Sequence, residues 1–108
     1  MYKRQEGESS DIYAEYLGAD GSGKELFSQP VGGVVVPITE EVLRTDSRFM
    51  SMKGSEMFKV ATRTLAQSAH IVLKKANLDL SDVDWIVPHQ ANARIIEMTA
   101  KLLGVPME

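Results

Sequence analysis

Apolar and polar positions alternate along this chain in two different rhythms. From Glu56 to Ala76, the residues Phe58, Ala61, Leu65, Ala69, Val72 and Ala76 recur every three or four positions, and Lys59, Arg63, Gln67, His70 and Lys74 recur in the same way on the opposite side. That spacing predicts a long amphipathic helix opened by Gly54. A second stripe, Ala91, Ile95, Met98 and Leu102, predicts a shorter helix, with Glu97 and Lys101 as an exposed i,i+4 pair and Gly104 and Pro106 as its stop. Between the two, Trp85-Ile86-Val87 is apolar throughout, which suits a strand covered on both faces. Pro88 ends that run, so His89 stands where a strand hands over to a helix, and the first amides of that helix are expected to point outward unpaired.

The first half of the chain is less regular. Met1 to Ser10 is polar and aperiodic and reads as a ragged or artefactual beginning, leaving 11–108 as one unit. Ile12 to Leu17 is rich in β-formers and runs into Gly18-Ala19-Asp20-Gly21-Ser22-Gly23, a dense turn signal. A short strand over Glu25 to Ser28 is expected to pair with it at the edge of a larger sheet. Val34-Val35-Val36 is a further strand candidate. Thr39 precedes Glu40-Glu41-Val42-Leu43-Arg44 as the cap of a short helix with two acids in its first turn, and Phe49 to Met52 reads as extended.

Composition narrows the function. At 108 residues the chain is one small domain rather than two. Twelve basic and fifteen acidic residues give a net charge of −3, with the bases scattered, which argues against nucleic-acid binding. There is no cysteine, hence no disulfide, no thiolate metal site and no cysteine nucleophile. No apolar run approaches the roughly 18 residues of a membrane span, and a cytoplasmic protein is the default expectation. His70 falls on the solvated stripe of the long helix and is read as a surface residue. The bases beside it form a solvated face first, and a surface for an acidic carrier protein second.

The segment Val87-Pro88-His89-Gln90-Ala91-Asn92, followed by Arg94-Ile95, resembles the histidine motif of the β-ketoacyl-acyl carrier protein synthase III family, thiolase-like condensing enzymes of fatty acid biosynthesis. Met52-Lys53-Gly54-Ser55-Glu56-Met57-Phe58-Lys59 resembles a second segment of that family, with Met57 in place of the usual valine and Ser55 where some members carry asparagine. The resemblance implies a partial thiolase-like α/β fold: an incomplete layered αβαβα arrangement, with a mixed sheet and two main helices. It also implies decarboxylative Claisen condensation of an acyl-CoA starter with malonyl-acyl carrier protein, with no cofactor and with acyl carrier protein and acyl-CoA as partners. A homodimer is implied for a complete member.

Roles follow residue by residue from the resemblance. His89 is the catalytic candidate, a donor to the enolate oxygen formed when carbon dioxide leaves. Without its motif, a lone strand-end histidine would more often be a packing or capping residue. Gly54, Gln90, Ala91 and Asn92 are candidates for the pantetheine channel, with a structural role for Gln90 and Ala91 of about equal weight, and with helix capping as the other reading of Asn92. Arg94 either contacts the phosphopantetheine phosphate or the carrier protein's acidic surface, which is the favoured reading, or pairs with Glu97. Phe58 suits core packing better than the channel, and no metal site is expected.

The family's nucleophilic cysteine and second asparagine are expected outside this stretch, so the isolated chain is expected to be inactive and marginally stable. The alternatives are a thiolase-fold ketosynthase or acyltransferase of secondary metabolism, a non-catalytic acyl-carrier-binding or dimer-forming module, and a small independent α/β domain.

Overall fold

The computed structural model describes residues 11–107, and the reading of 1–10 as a ragged start lies outside them. Two helices dominate. Helix α2, Gly54–Ala76, and helix α3, Ala93–Leu103, pack on each other more extensively than any other pair of elements. The preceding helix, α1, is a single turn at Glu40–Leu43, and strands β1, Phe27–Ser28, and β2, Ser51–Met52, form a two-stranded antiparallel sheet in which Phe27 faces Met52.

The helix limits are set by local chemistry. Thr39 caps α1, its Oγ1 accepting from the Val42 amide at 3.3 Å, as a Thr followed by two acids predicts. Helix α2 stops at Asn77, which takes the left-handed conformation at φ 55° and lets the Leu78 amide reach back to the Leu73 carbonyl at 3.0 Å. Gly104 does the same for α3 at φ 75°, with Val105 N–H on the Ala100 carbonyl. Between the helices, Asp79 and Asp82 close a capping box around a 3-10 turn, Leu80–Asp82.

The core is thin and, apart from the buried Val31, is made by α2 and α3. Thr62 and Ala66 of α2 and Thr99, Ala100 and Leu103 of α3 are buried. Both threonine hydroxyls are satisfied within their own helices, Thr62 on the Phe58 and Lys59 carbonyls and Thr99 on the Ile95 carbonyl, so burial leaves no orphaned polar atom. Small side chains at the crossing let the backbones approach. The expected apolar stripes are thus rotated: Leu65, Ala69 and Val72 are only half-buried, and in α3 Met98 and Leu102 are exposed while Thr99 and Ala100 turn inward. The expected polar stripe of α2 is exposed at all five positions.

Three expected strands do not form. Ile12 to Leu17 is irregular and exposed, and β1 pairs with β2 rather than with it. The segment is held against the end of α2 instead, where Lys75 Nζ donates to the Glu15 carbonyl at 3.1 Å and lies 5.9 Å from the centre of the Tyr16 ring. Val34-Val35-Val36 is a bend closed by the Gly32 amide on the Val36 carbonyl. Trp85-Ile86-Val87 has no strand beside it, and Trp85 and Val87 are 81% and 73% exposed. Each of these runs has the composition of a strand but no neighbouring backbone to complete a ladder.

The turn expected at Gly18 to Gly23 resolves into an Asp20-capped 3-10 helix, Gly21–Leu26. Asp20 Oδ1 accepts from the Ser22 hydroxyl at 2.6 Å and the Ser22 amide at 2.9 Å, and these two bonds, in that order, hold its carboxyl below the ordinary aspartate range.

Candidate functional site

His89 follows the non-helical run 85–88 and lies four residues before α3. Its side chain is exposed and borders an open hollow of about 460 Å³ lined by Val87, Pro88, His89 and Gln90. The local path is fixed by a tight backbone turn, in which the Ala91 amide donates to the His89 carbonyl at 3.0 Å. Asn92 then starts the helix. Its Oδ1 accepts from the Arg94 amide at 2.8 Å, and its carbonyl accepts from Ile95 and Ile96 at 3.0 and 3.3 Å.

That capping has a chemical consequence. The amides at the mouth of α3 were expected to be unpaired, yet those of Arg94, Ile95 and Ile96 all end on Asn92. Exposed side-chain donors around the turn are the imidazole of His89, the amide of Gln90 and the guanidinium of Arg94. Of the two readings of Asn92, capping is the one its geometry occupies.

His89, Gln90, Ala91, Asn92 and Arg94 thus sit together along one turn and one helix start. Gly54 opens a different helix and does not line the His89 hollow. No side chain caps the N-terminus of α2, and Lys53, which precedes it, is tied by its own amide to the Leu26 carbonyl at 2.8 Å. A side chain at Gly54 would meet nothing within 4 Å, so neither crowding nor backbone strain accounts for glycine there. Phe58 is half-buried, and the 3-10 helix Gly21–Leu26 lies beside α2.

An apolar trough of about 330 Å³ runs between the 83–88 segment and α3, floored by Ile86, Ile96, Ala100 and Leu103. The sequence signalled its wall as a strand, not as one side of a trough. A second feature that periodicity alone does not reveal is a hollow of about 480 Å³ on the polar face of α2, where Leu102 of α3 emerges among Arg63, His70 and Lys74. No group of three or more His, Cys, Asp or Glu side chains that could hold a metal ion occurs among the described residues, and no helix among them is long and apolar enough to cross a membrane.

Comparisons with known proteins agree with the motif. Residues 73–108 match the family described as 3-Oxoacyl-[acyl-carrier-protein (ACP)] synthase III C terminal. The chain is 40% identical over 102 residues to the β-ketoacyl-[acyl-carrier-protein] synthase III of Clostridium acetobutylicum, covering 94% of this chain and 31% of that one. It is 42% identical over 101 residues to the enzyme of the same name from Roseiflexus castenholzii, with the same shares. The crystal structure of 3-oxoacyl-[acyl-carrier-protein] synthase III from Aquifex aeolicus superposes with a TM-score of 0.71 at 34% identity, over 94% of this chain and 28% of that one. The chain therefore spans less than a third of the length of these relatives, and its two helices and short sheet are a partial thiolase-like α/β fold. Within that span, the chain matches members of the β-ketoacyl-acyl carrier protein synthase III family in sequence and in backbone path.

Proposed function

We propose that this chain supplies the histidine-bearing part of a chain-initiating β-ketoacyl-acyl carrier protein synthase III, with 11–108 forming part of one condensing-enzyme domain. The observation that carries the reading is His89: an exposed imidazole at an open hollow, delivered by a non-helical apolar run to the mouth of a capped helix, inside the family's motif.

In the reaction, the bond between the malonyl α-carbon and its carboxylate breaks, and carbon dioxide leaves. The electron pair becomes an enolate on the thioester. The α-carbon then attacks the starter's acyl carbonyl, forming the new carbon–carbon bond and expelling a thiolate. His89, donating its ring N–H to the thioester oxygen, stabilises the enolate; a well-placed oxyanion donor contributes roughly 3 to 4 kcal/mol. Gln90 and Ala91 shape the wall along which the pantetheine arm lies, and Gly54 keeps a second wall free of a side chain. Arg94 offers a fork of donors to a phosphate or a carboxylate. The thiol that accepts the starter has to come from elsewhere, since the sequence contains no cysteine, so the chain alone is inactive in condensation. Acyl-CoA and malonyl-acyl carrier protein are the substrates, no cofactor is required, and a cytoplasmic homodimer is the setting.

The test is a chimera in which these residues replace the matching stretch of the Clostridium acetobutylicum relative. The chimera is expected to condense acetyl-CoA with malonyl-acyl carrier protein. The His89→Ala chimera should lose about 10²- to 10³-fold in kcat with its stability within about 0.5 kcal/mol of the parent, because the side chain is exposed. Full activity in that variant would remove His89 from the chemistry.

A further inference from the structure

His89 lies between two fixed points of the chain. Pro88 holds its own φ at about −65°, and Asn92 is committed to the cap of α3, its Oδ1 accepting from Arg94 and its carbonyl from Ile95 and Ile96. Between them the Ala91 amide donates to the His89 carbonyl at 3.0 Å, a bond that spans the single residue Gln90. A bond of that span closes a γ-turn, which comes in two forms of opposite hand. The form centred at φ of about +75° is not the one here, because Asn77 alone among the described non-glycine residues has a positive φ. Gln90 is therefore the centre of an inverse γ-turn, with φ of about −75°. The consequence falls on its neighbour: His89 is held from both sides where its imidazole borders the hollow lined by Val87, Pro88, His89 and Gln90.

We infer that Gln90 is a positioning residue for His89, acting through its backbone conformation rather than its side-chain amide, a role that rests on the functional reading above. Placement matters, since a shift of about 1 Å at a reacting group can cost about 10²-fold in rate. A side chain at position 90 favours the inverse form of the turn, whereas glycine takes either sign of φ about as readily. Glycine there lets the turn reverse its hand and swing the imidazole. Proline has the φ of this turn built in, and the N–H it lacks takes no part in the bond, which Ala91 donates. His89 lies outside any helix, as suits a residue that precedes a proline.

The chimera with the Clostridium acetobutylicum relative carries the test. Gln90→Ala and Gln90→Gly both lose the side-chain amide, so its effect on the pantetheine wall is common to the two and their ratio isolates the backbone. Gln90→Gly is expected to show a kcat about two- to fivefold below that of Gln90→Ala, the population lost to glycine's extra backbone freedom, at an equal KM for malonyl-acyl carrier protein. Gln90→Pro is expected to match or exceed Gln90→Ala. In a His89→Ala background the difference between glycine and alanine should vanish, because no imidazole is left to misplace. If thermal melting shows the glycine chimera unfolded at the assay temperature, the proline and alanine variants carry the comparison alone.

Equal kcat in the glycine and alanine variants, a proline variant more than about tenfold below alanine, or a glycine penalty that persists without the imidazole would each overturn the positioning role and leave His89 in the chemistry. Full activity of His89→Ala by itself would overturn the functional reading and the positioning role with it, so the two failures are told apart.

Discussion

Replacing Asn92 tests whether the histidine motif is held in place by a helix cap. Asn92 accepts three amides, but only one of them, from Arg94 at 2.8 Å, ends on its side chain; the bonds from Ile95 and Ile96 end on its carbonyl and survive any substitution. Asn92→Ala therefore removes a single cap bond. The released Arg94 amide is exposed and returns to water, which keeps the cost near the middle of the usual range, about 1 kcal/mol. For a domain of about this size that corresponds to a melting point lowered by roughly 4 to 8 °C. Asn92→Asp keeps the acceptor and adds a negative charge at the positive end of α3, so it should melt no lower than the parent.

The ranking matters more than the absolute shift. A cap needs only an acceptor, whereas a contact to an acceptor on the pantetheine arm needs the amide NH₂, which aspartate lacks. Thermal melting of the three chains by circular dichroism, together with condensation by the matching chimeras, separates the roles. Asn92→Asp with parental melting and near-parental condensation identifies a cap. Asn92→Asp melting as low as Asn92→Ala would refute the capping argument, and parental melting with lost condensation would move Asn92 into the substrate channel.

Two further expectations follow from the same kind of reading. Gly104 sits at φ 75° with open space where a methyl group would project, so Gly104→Ala should cost about 1 kcal/mol through backbone conformation alone, visible as a lower urea midpoint, and Gly104→Asn should cost less. Asp20 is held below its ordinary value of about 3.9 by its bonds to Ser22, so its contribution is fully present above that value and is lost as the pH falls through the depressed folded value. The 3-10 helix Gly21–Leu26 should therefore loosen only at pH below the usual carboxylate range, read as faster amide exchange at Ser22 once the intrinsic pH dependence is divided out, and Asp20→Ala should show the loosened behaviour at neutral pH.

Elements fixed by neighbouring residues were legible in the sequence. The limits of α2, the Thr39 cap, the Gly104 stop and the exposure of His70 all follow from spacing and capping within a few residues. The face each helix buries was not legible in the same way, because the α2–α3 crossing selects Thr62, Ala66, Thr99 and Ala100 for their size, whereas the pattern favours the larger apolar residues. The site was legible as a motif around His89. That Asn92 ties up the Arg94 and Ile95 amides at the mouth of α3, and that Leu102 surfaces among the bases of α2, depends on three-dimensional approach and leaves no trace in periodicity.

The strands that failed to form share one cause. A folded chain of 11.9 kDa exposes about 6,000 Å², and one of 108 residues has a radius of gyration near 13 Å; this one exposes 9757 Å² with a radius of 18.6 Å. The most exposed large apolar residues lie where the sequence promised strands: Ile12, Tyr13 and Leu17, then Val34 and Val35, then Trp85 and Val87. A helix satisfies its own backbone and can form wherever its pattern lies, but a strand needs a neighbour across about 4.8 Å, and among the described residues only Phe27–Ser28 and Ser51–Met52 have found each other. The backbone is nonetheless arranged as in a relative of which it matches 28%. Strand-like sequence, relative-like path and missing ladders together place the shortfall in the partners of these runs rather than in the runs themselves. The same reasoning bears on how His89 is placed: the helix behind it is capped and complete, while the run before it, Trp85 to Val87, is an unpaired apolar segment whose position sharpens only when another strand lies beside it.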